Sequence, residues 1–199
     1  MSKNYSKPTL IKPSKSIKPS DPILTTNTDE YCELLIGCGS STIKKITVTG
    51  HENFNKLTRL DNNSDHNPDI VWDLRQHPLP FENDTFDEIH AYEVLEHLAQ
   101  QGDYTFFFAE FSEYWRILKN KGLFFLSVPD RNSVWAWGDP SHTRIIQAEN
   151  FVYLDQDEYT RQVGVTAISD FRYIYKADFK RVFSEVKDGT LSVVLQAYK

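Results

Sequence analysis

The residues best suited to chemistry in this sequence follow the segment at positions 86–92. This segment is predicted to be a buried strand, and acidic and imidazole groups come directly after it. Open α/β sheets bind their ligands at the carboxyl ends of their strands, so polar groups in this place indicate a binding site. The residues concerned are Tyr92, Glu93, Glu96 and His97.

A second candidate site is the turn formed by Gly37, Cys38 and Gly39. It follows an apolar run at positions 31–36, which predicts the first buried strand. Glycines in such a turn let a ligand approach the backbone closely, so we expect this turn to contact a cofactor. The pattern is weak by itself, because the dinucleotide fingerprint requires a further glycine where Thr42 stands.

Acidic residues end the next two predicted strands, at positions 57–60 and 68–74. Asp61 has the spacing from Gly39 at which nucleotide-binding α/β folds place the acid that binds ribose hydroxyls. A role in the polar turn that follows is the alternative for Asp61. Asp73 and Leu74 close the third predicted strand.

Several of these segments together resemble class I S-adenosylmethionine (SAM) dependent methyltransferases of the small-molecule, type 11-like group. The resemblance rests on "LPFENDTFDEIHAYEVLEHL" at positions 79–98 and on "RILKNKG" at 116–122. It implies methyl transfer from SAM to an unidentified acceptor, with Asp73 and the Leu74 backbone at the adenine. The implied cofactor contacts are completed by Gly37, Cys38, Gly39, Asp61, Tyr92 and Glu93.

Two alternatives to a methyltransferase remain open at the sequence level. A nicotinamide-dependent oxidoreductase would share Gly37, Gly39 and Asp61, but it would give the segment after position 92 no role. A non-catalytic interaction module would keep the fold alone. Leu35 and Ser41 leave that possibility open, because the resembling family usually has an acidic residue and a glycine at these two positions.

A long connection at positions 129–176 is expected to bind the methyl acceptor, since long segments in compact domains are more often functional than idle. Trp137, Asp139 and Arg144 are its candidate acceptor-binding residues, and the Arg144 guanidinium could hold an acidic group. His142 and His97 are the candidate general bases for a hydroxyl or amine acceptor.

The remaining pattern predicts the elements that carry these residues. A helix over 104–119 is capped by Asp103, and a buried strand over 123–128 follows it. A further helix is predicted over 178–183, and Asp188-Gly189 predicts a hairpin between strands 185–187 and 191–198. The predicted fold is one doubly wound, mostly parallel α/β sheet, Rossmann-like as in methyltransferases, with a C-terminal antiparallel hairpin.

Composition sets the outer limits on function. The chain has 199 residues and a net charge of −6, and its first twenty residues contain lysines and no acid. The acidic remainder makes nucleic acid an unexpected partner.

Residues 1–28 are expected to be a flexible basic arm, and residues 29–199 are expected to form one domain. Cys32 and Cys38 indicate neither a metal site nor a disulfide, and the lack of an apolar leader or span predicts a cytoplasmic protein. The oligomeric state stays open.

Overall fold

The architecture comes from a computed structural model that describes residues 30–47 and 51–199. The predicted basic arm at positions 1–28 lies outside the described residues. The described chain contains one seven-stranded sheet in the order β3-β2-β1-β4-β5-β7-β6. Its strands are β1 (Cys32–Ile36), β2 (Lys56–Asp61), β3 (Ile70–Val71), β4 (Phe86–Tyr92), β5 (Leu118–Pro129), β6 (Asp178–Lys187) and β7 (Thr190–Tyr198).

The sheet is parallel from β3 to β5 and antiparallel at its other edge. Strand β7 runs antiparallel to both β5 and β6. Asp188 and Gly189 join β6 to β7 with φ angles of 50° and 78°, which suits a tight type I′ hairpin turn. The predicted fold class and the predicted hairpin are therefore confirmed.

The main core lies between one face of the sheet and helix α1 (Tyr104–Ile117). The Asp103 side chain caps this helix by accepting a hydrogen bond from the Phe106 amide at 3.0 Å. Phe111, at 0% exposure, packs against Phe124 of β5 with ring centroids 6.0 Å apart. The aromatic residues on this face of α1 are core packing, and they hold the helix against the sheet.

One predicted helix was wrong. Positions 178–183 belong to β6, which pairs with β7 along its whole length. Phe179, Val182, Phe183 and Val186 have the spacing of a helical face, but the pairing shifts register between Arg181 and Phe183. Such a bulge turns the alternation of a strand into an irregular pattern, which explains the misleading spacing.

The crossovers near the predicted cofactor site are short and irregular. Residues 40–47 and 51–55 contain no helix in the described part of the chain. Strand β3 is limited to Ile70–Val71, and the segment after β4 forms only a 3₁₀ turn, Leu95–His97. The backbone here follows the strand ends closely and leaves an open groove above them.

The connection after β5 contains short helical pieces. These are α2 (Val134–Gly138), a 3₁₀ helix (Ala148–Leu154) and α3 (Gln156–Gln162). Phe151 and Tyr159 anchor the later part in the core, at 2% and 0% exposure. Among residues 30–47 and 51–199, no helix has the length and apolar character needed to cross a membrane.

Candidate functional site

A cavity of about 390 Å³ lies at the carboxyl ends of β1 to β4. Strands β1 and β4 are neighbours, so this is the point where the order of the sheet reverses and where open α/β folds bind ligands. The residues after four different strands converge on it. Its lining includes Gly37, Gly39, Asp61, Trp72, Asp73, Leu74, Arg75, Glu93, Val94 and His97.

The two glycines of the β1 turn have different tasks. Both have a left-handed backbone, with φ of 56° at Gly37 and 51° at Gly39. A Cβ at Gly37 would lie 2.5 Å from Cγ2 of Val94, so this glycine permits close packing against the segment after β4. A Cβ at Gly39 would meet nothing within 4 Å. Gly39 therefore presents bare backbone to the open cavity, where a ligand can approach it.

Asp61 ties this turn to the end of β2. Its Oδ2 accepts a hydrogen bond from the Gly39 amide at 2.7 Å, and its Oδ1 accepts one from the Asn63 amide at 2.8 Å. An ionised carboxylate offers about four acceptor positions, so capacity remains for the hydroxyls of a sugar. Asp61 is 7% exposed and lines the cavity, so its carboxylate both holds the turn and faces the space where a ligand could bind.

Asp73 and Leu74 lie on the opposite wall of the cavity. The Arg75 guanidinium binds the Asp73 carboxylate, with Nη2 to Oδ2 at 2.9 Å, and these hydrogen bonds hold the pKa of Asp73 below its usual range. Leu74 is buried beside it and contributes apolar wall. An amino group of a ligand that binds the Asp73 carboxylate would therefore either share it with the Arg75 guanidinium or displace that guanidinium.

Glu93 is held at the junction between this cavity and a second one. It has φ of 58°, an uncommon left-handed conformation for a residue other than glycine. Its amide donates to the Ser127 carbonyl at 2.9 Å, and the Ser127 hydroxyl donates to Glu93 Oε1 at 2.8 Å. Strained backbone fixed in this way is found at functional sites more often than elsewhere.

The second cavity, of about 280 Å³, is lined by Glu93, Glu96, His97, Trp135 and His142, among others. The imidazole rings of His97 and His142 lie edge to face with centroids 4.7 Å apart. His142 is brought there because the amides of Thr143 and Arg144 both donate to the Glu96 carbonyl, at 2.9 and 3.3 Å. The two histidines predicted separately as bases thus form one cluster.

No family model and no curated protein matches this sequence. Solved structures do match the fold. A SAM-dependent methyltransferase from Archaeoglobus fulgidus superposes with a TM-score of 0.51 at 14% identity, over 83% of this chain and 86% of that one. A putative methyltransferase in complex with the Trm112 activator, from Haloferax volcanii, gives 0.51 at 15% identity, over 85% and 83%. The chain has the class I SAM-dependent methyltransferase fold.

The same fold also serves other chemistry. The [4+2]-cyclase SpnF superposes with a TM-score of 0.51 at 14% identity, over 84% of this chain and 74% of that one. At such identities the likeness concerns the fold alone. The activity of this methyltransferase-fold protein must therefore be argued from its own cavities.

Two predicted cofactor contacts have side chains outside the first cavity. The Tyr92 hydroxyl lies 2.7 Å from Nδ1 of His90, and its ring packs with Leu35 on the other face of the sheet. The Cys38 thiol donates to the Gly39 carbonyl at 3.2 Å, and burial raises its pKa to about 11. Tyr92 follows the alternation of β4, which directs it to the face opposite Ala91.

Arg144, predicted to hold an acidic group of the acceptor, is buried and already paired with an acid of this chain. It is 7% exposed, and its Nη2 lies 2.8 Å from Oε2 of the fully buried Glu110. Its Nε donates to the Leu95 carbonyl at 2.7 Å. This guanidinium joins the acceptor-side segment to α1, so we assign it a positioning role.

The other residues predicted to bind the acceptor lie near the second cavity. Asp139 lines it, and its Oδ1 accepts hydrogen bonds from the amide and hydroxyl of Ser141 at 2.8 and 2.6 Å. Trp137 is 75% exposed and lines a neighbouring groove with His142. The connection thus places polar and aromatic groups around the histidine cluster.

The sequence interpretation missed two residues that shape the site. Ser127 holds Glu93, and Glu110 binds Arg144. Glu110 did carry a signal, because it is an acid among the apolar residues of α1 and a buried acid requires a partner. Ser127 gave none, since its role depends on strand register.

Proposed function

We propose that this chain binds SAM in the first cavity and transfers its methyl group to an acceptor in the second cavity. The observation that carries the proposal is the arrangement of Gly37, Gly39 and Asp61 around the carboxyl ends of β1 and β2, at the switch point of a methyltransferase fold. The fold by itself does not decide the chemistry. The match between its expected ligand position and these residue types supports the assignment.

The residues fit the parts of SAM in a consistent order. Asp61 has free acceptor capacity for the ribose hydroxyls, and Asp73 with Leu74 provides an acid and an apolar wall for adenine. Gly39 offers open backbone for the methionine portion. The reacting end of the cofactor is then expected near Glu93 and His97, which line both cavities.

The chemistry requires alignment above all. Bound SAM supplies an electrophilic methyl carbon, and a nucleophilic atom of the acceptor bonds to it as the carbon–sulfur bond breaks and sulfur keeps the electron pair. The protein holds the two reacting atoms about 3–3.5 Å apart and in line. His97 and His142 line the second cavity and are the candidates to accept the proton of a hydroxyl or amine acceptor.

The absence of a crossover helix in residues 40–47 favours a second candidate, a protein that binds SAM without transferring its methyl group. In the described part of the chain, no helix N-terminus follows the Gly37–Gly39 turn to bind the cofactor carboxylate. Leu35 also stands at the place of the usual acid. These two departures concern the methionine portion, where small displacements would abolish transfer and spare binding.

Calorimetry with SAM, its demethylated product S-adenosylhomocysteine and NAD⁺ tests the proposal on the full chain. We expect saturable binding of the first two ligands and none of NAD⁺. Preferential binding of NAD⁺ would overturn the methyltransferase assignment in favour of an oxidoreductase. Binding of SAM without formation of S-adenosylhomocysteine across hydroxyl, amine and carboxylate acceptors would favour the non-transferring candidate.

A further inference from the structure

The carboxylate of Glu96 is buried without any partner that accounts for it. Glu96 is 2% exposed, and neither carboxylate oxygen has a hydrogen-bond partner among the described residues. The nearest ionisable nitrogen is Nε2 of His142, 4.0 Å from Oε1. A buried carboxyl group that has no hydrogen-bond partner can bind a ligand, either a proton donor or a cation.

The two histidines beside Glu96 also have free nitrogens. Nδ1 of His97 lies 3.3 Å from the Ser141 carbonyl and 3.2 Å from its hydroxyl, which leaves Nε2 available. Nδ1 of His142 is buried and has no hydrogen-bond partner in the part of the chain that the structure describes. One donor atom from each of Glu96, His97 and His142 lies within 4.8 Å of the others.

We propose that Glu96, His97 and His142 form a binding site for a divalent transition-metal ion. Two imidazoles and one carboxylate suit Fe²⁺, Co²⁺ or Zn²⁺ and leave coordination positions open. Donor atoms bound at about 2.1 Å lie about 3.0–3.4 Å apart, so an ion would draw this group together by about 1 Å. Asp139 Oδ2, 3.8 Å from His142 Nε2, is close enough to add a fourth ligand.

The groups around His97 hold its imidazole ring in a fixed orientation. Metal-binding histidines commonly donate their second ring N–H to a carbonyl or carboxylate, which fixes the ring orientation. Here Nδ1 of His97 faces Ser141, and the Ser141 hydroxyl donates to Asp139 Oδ1 at 2.6 Å. The chain from Asp139 through Ser141 therefore aims Nε2 of His97 away from the loop and toward the cluster.

A second group of suitable residues elsewhere in the fold does not qualify. Glu33, Glu88 and His90 also lie close together, in full burial. The ammonium group of Lys44 already occupies their centre, with Nζ 2.5 Å from an oxygen of each glutamate. Lys44 thus already gives that cluster the positive charge that a metal ion would supply. Among the described residues, no ammonium group has this position in the cluster around Glu96.

The position of the ion suggests the acceptor class, an argument that rests on the proposed function. The three proposed ligands line the second cavity, which shares Glu93 and His97 with the first cavity, where we propose that the cofactor binds. A hydroxyl bound to a divalent ion loses its proton to water more readily, and its oxygen then becomes the nucleophile for the methyl carbon. The exposed ring of Trp135 offers an apolar surface beside it. We therefore infer that the methyl acceptor is a compound that carries a hydroxyl group.

The test is a titration of the full chain, freed of metal by dialysis against EDTA, with Co²⁺ followed by absorbance and with Zn²⁺ followed by calorimetry. We expect one saturable site in the unaltered protein. Loss of supporting groups around a metal typically costs about 10–100-fold in affinity, so Glu96→Gln and His142→Gln should each cost at least about 100-fold. His51→Gln, which removes an imidazole outside both cavities, should bind as the unaltered protein does.

The same titration can overturn the proposal. Absence of saturable binding, or equal affinity in folded Glu96→Gln, would exclude the site. Glu96→Gln is the decisive variant because it replaces a carboxylate oxygen ligand by an amide and keeps the side-chain shape. A parallel titration with S-adenosylhomocysteine in EDTA separates the two claims. Cation binding without S-adenosylhomocysteine binding would support the metal site and contradict the cofactor assignment. S-adenosylhomocysteine binding without cation binding would support the cofactor assignment and exclude the metal site.

Discussion

The guanidinium of Arg144 and the carboxylate of Glu110 form an ion pair in the core, with Nη2 2.8 and 3.1 Å from the two carboxylate oxygens. Glu110 is 0% exposed and belongs to α1, whereas Arg144 belongs to the segment that carries His142. The Arg144 amide also donates to the Glu96 carbonyl. Arg144 therefore joins the long connection both to α1, through the ion pair, and to the segment after β4, through its hydrogen bonds to the Glu96 and Leu95 carbonyls.

Arg144→Ala is expected to lower the free energy of unfolding by about 3–5 kcal/mol, because it leaves the Glu110 carboxylate buried without its cation. The double variant Arg144→Met with Glu110→Leu should lose much less, since it removes both charges and keeps most of the volume. Urea unfolding of the two variants measures the difference. An Arg144→Ala protein as stable as the unaltered one would show that the pair is not formed in solution.

The glycines of the β1 turn give a matched comparison. Gly37→Ala should be the more destabilising change, because its Cβ would collide with Val94 in addition to the cost of positive φ. Gly39→Ala should cost about 1 kcal/mol, since only its backbone conformation opposes a side chain. Val94→Ala should relieve part of the Gly37→Ala effect, and thermal unfolding of the three proteins checks this. Equal losses in the two glycine variants, without relief, would contradict the packing described here.

Much of this fold was predictable because the strands near the site are buried on both faces and follow simple patterns. Strand β4 was predicted over 86–92, as observed, since turn residues precede this segment and polar residues follow it. The first part of strand β6 was predicted as a helix, because a bulge near Val182 disturbs its alternation, whereas its end at 185–187 was predicted as a strand. Local spacing reveals regular elements, but it cannot reveal a register shift imposed by the neighbouring strand.

The candidate site was predictable in part for the same reason. Gly37, Gly39 and Asp61 meet because strand ends in a parallel sheet share one edge. The grouping of Glu96 and His97 with His142 was not predictable, because it depends on the path of the long connection and on the Arg144–Glu110 pair. Arg144 was predicted to bind the acceptor, because its partner Glu110 in α1 could not be assigned from the sequence.

His90 should make stability depend on pH. Burial lowers its pKa below 6.5, although hydrogen bonding to Glu88 opposes this shift. As pH falls below about 6.5, the unfolded chain takes up a proton that folded His90 does not, so this group's contribution to stability is lost by up to about 1.4 kcal/mol per pH unit. Urea unfolding at pH 7 and pH 5 should show the loss.

The neighbours of His90 require a comparison between variants. The ionisable side chains close to its ring are those of Glu88, Tyr92, Glu33 and Lys44. Burial raises the pKa of Glu33, and this shift stabilises the folded state as pH falls, which opposes the effect of His90. The variant His90→Gln should therefore lose less stability between pH 7 and pH 5 than the unaltered protein. His51→Gln should keep the original difference. The same pH dependence in all three proteins would exclude His90 as its source.

The most direct test of the SAM assignment is a calorimetric titration of the full chain with S-adenosylhomocysteine, in the unaltered protein, Asp61→Ala and Asp65→Ala. Asp61 lines the first cavity, whereas Asp65 is an exposed acid of the same segment that does not line it. We predict saturable binding that Asp61→Ala weakens by about 1–3 kcal/mol, because the ribose hydroxyls lose their acceptor, and that Asp65→Ala leaves unchanged. Circular dichroism confirms that each variant is folded. Absence of binding to the folded unaltered protein, or equal affinity in folded Asp61→Ala, would contradict the account.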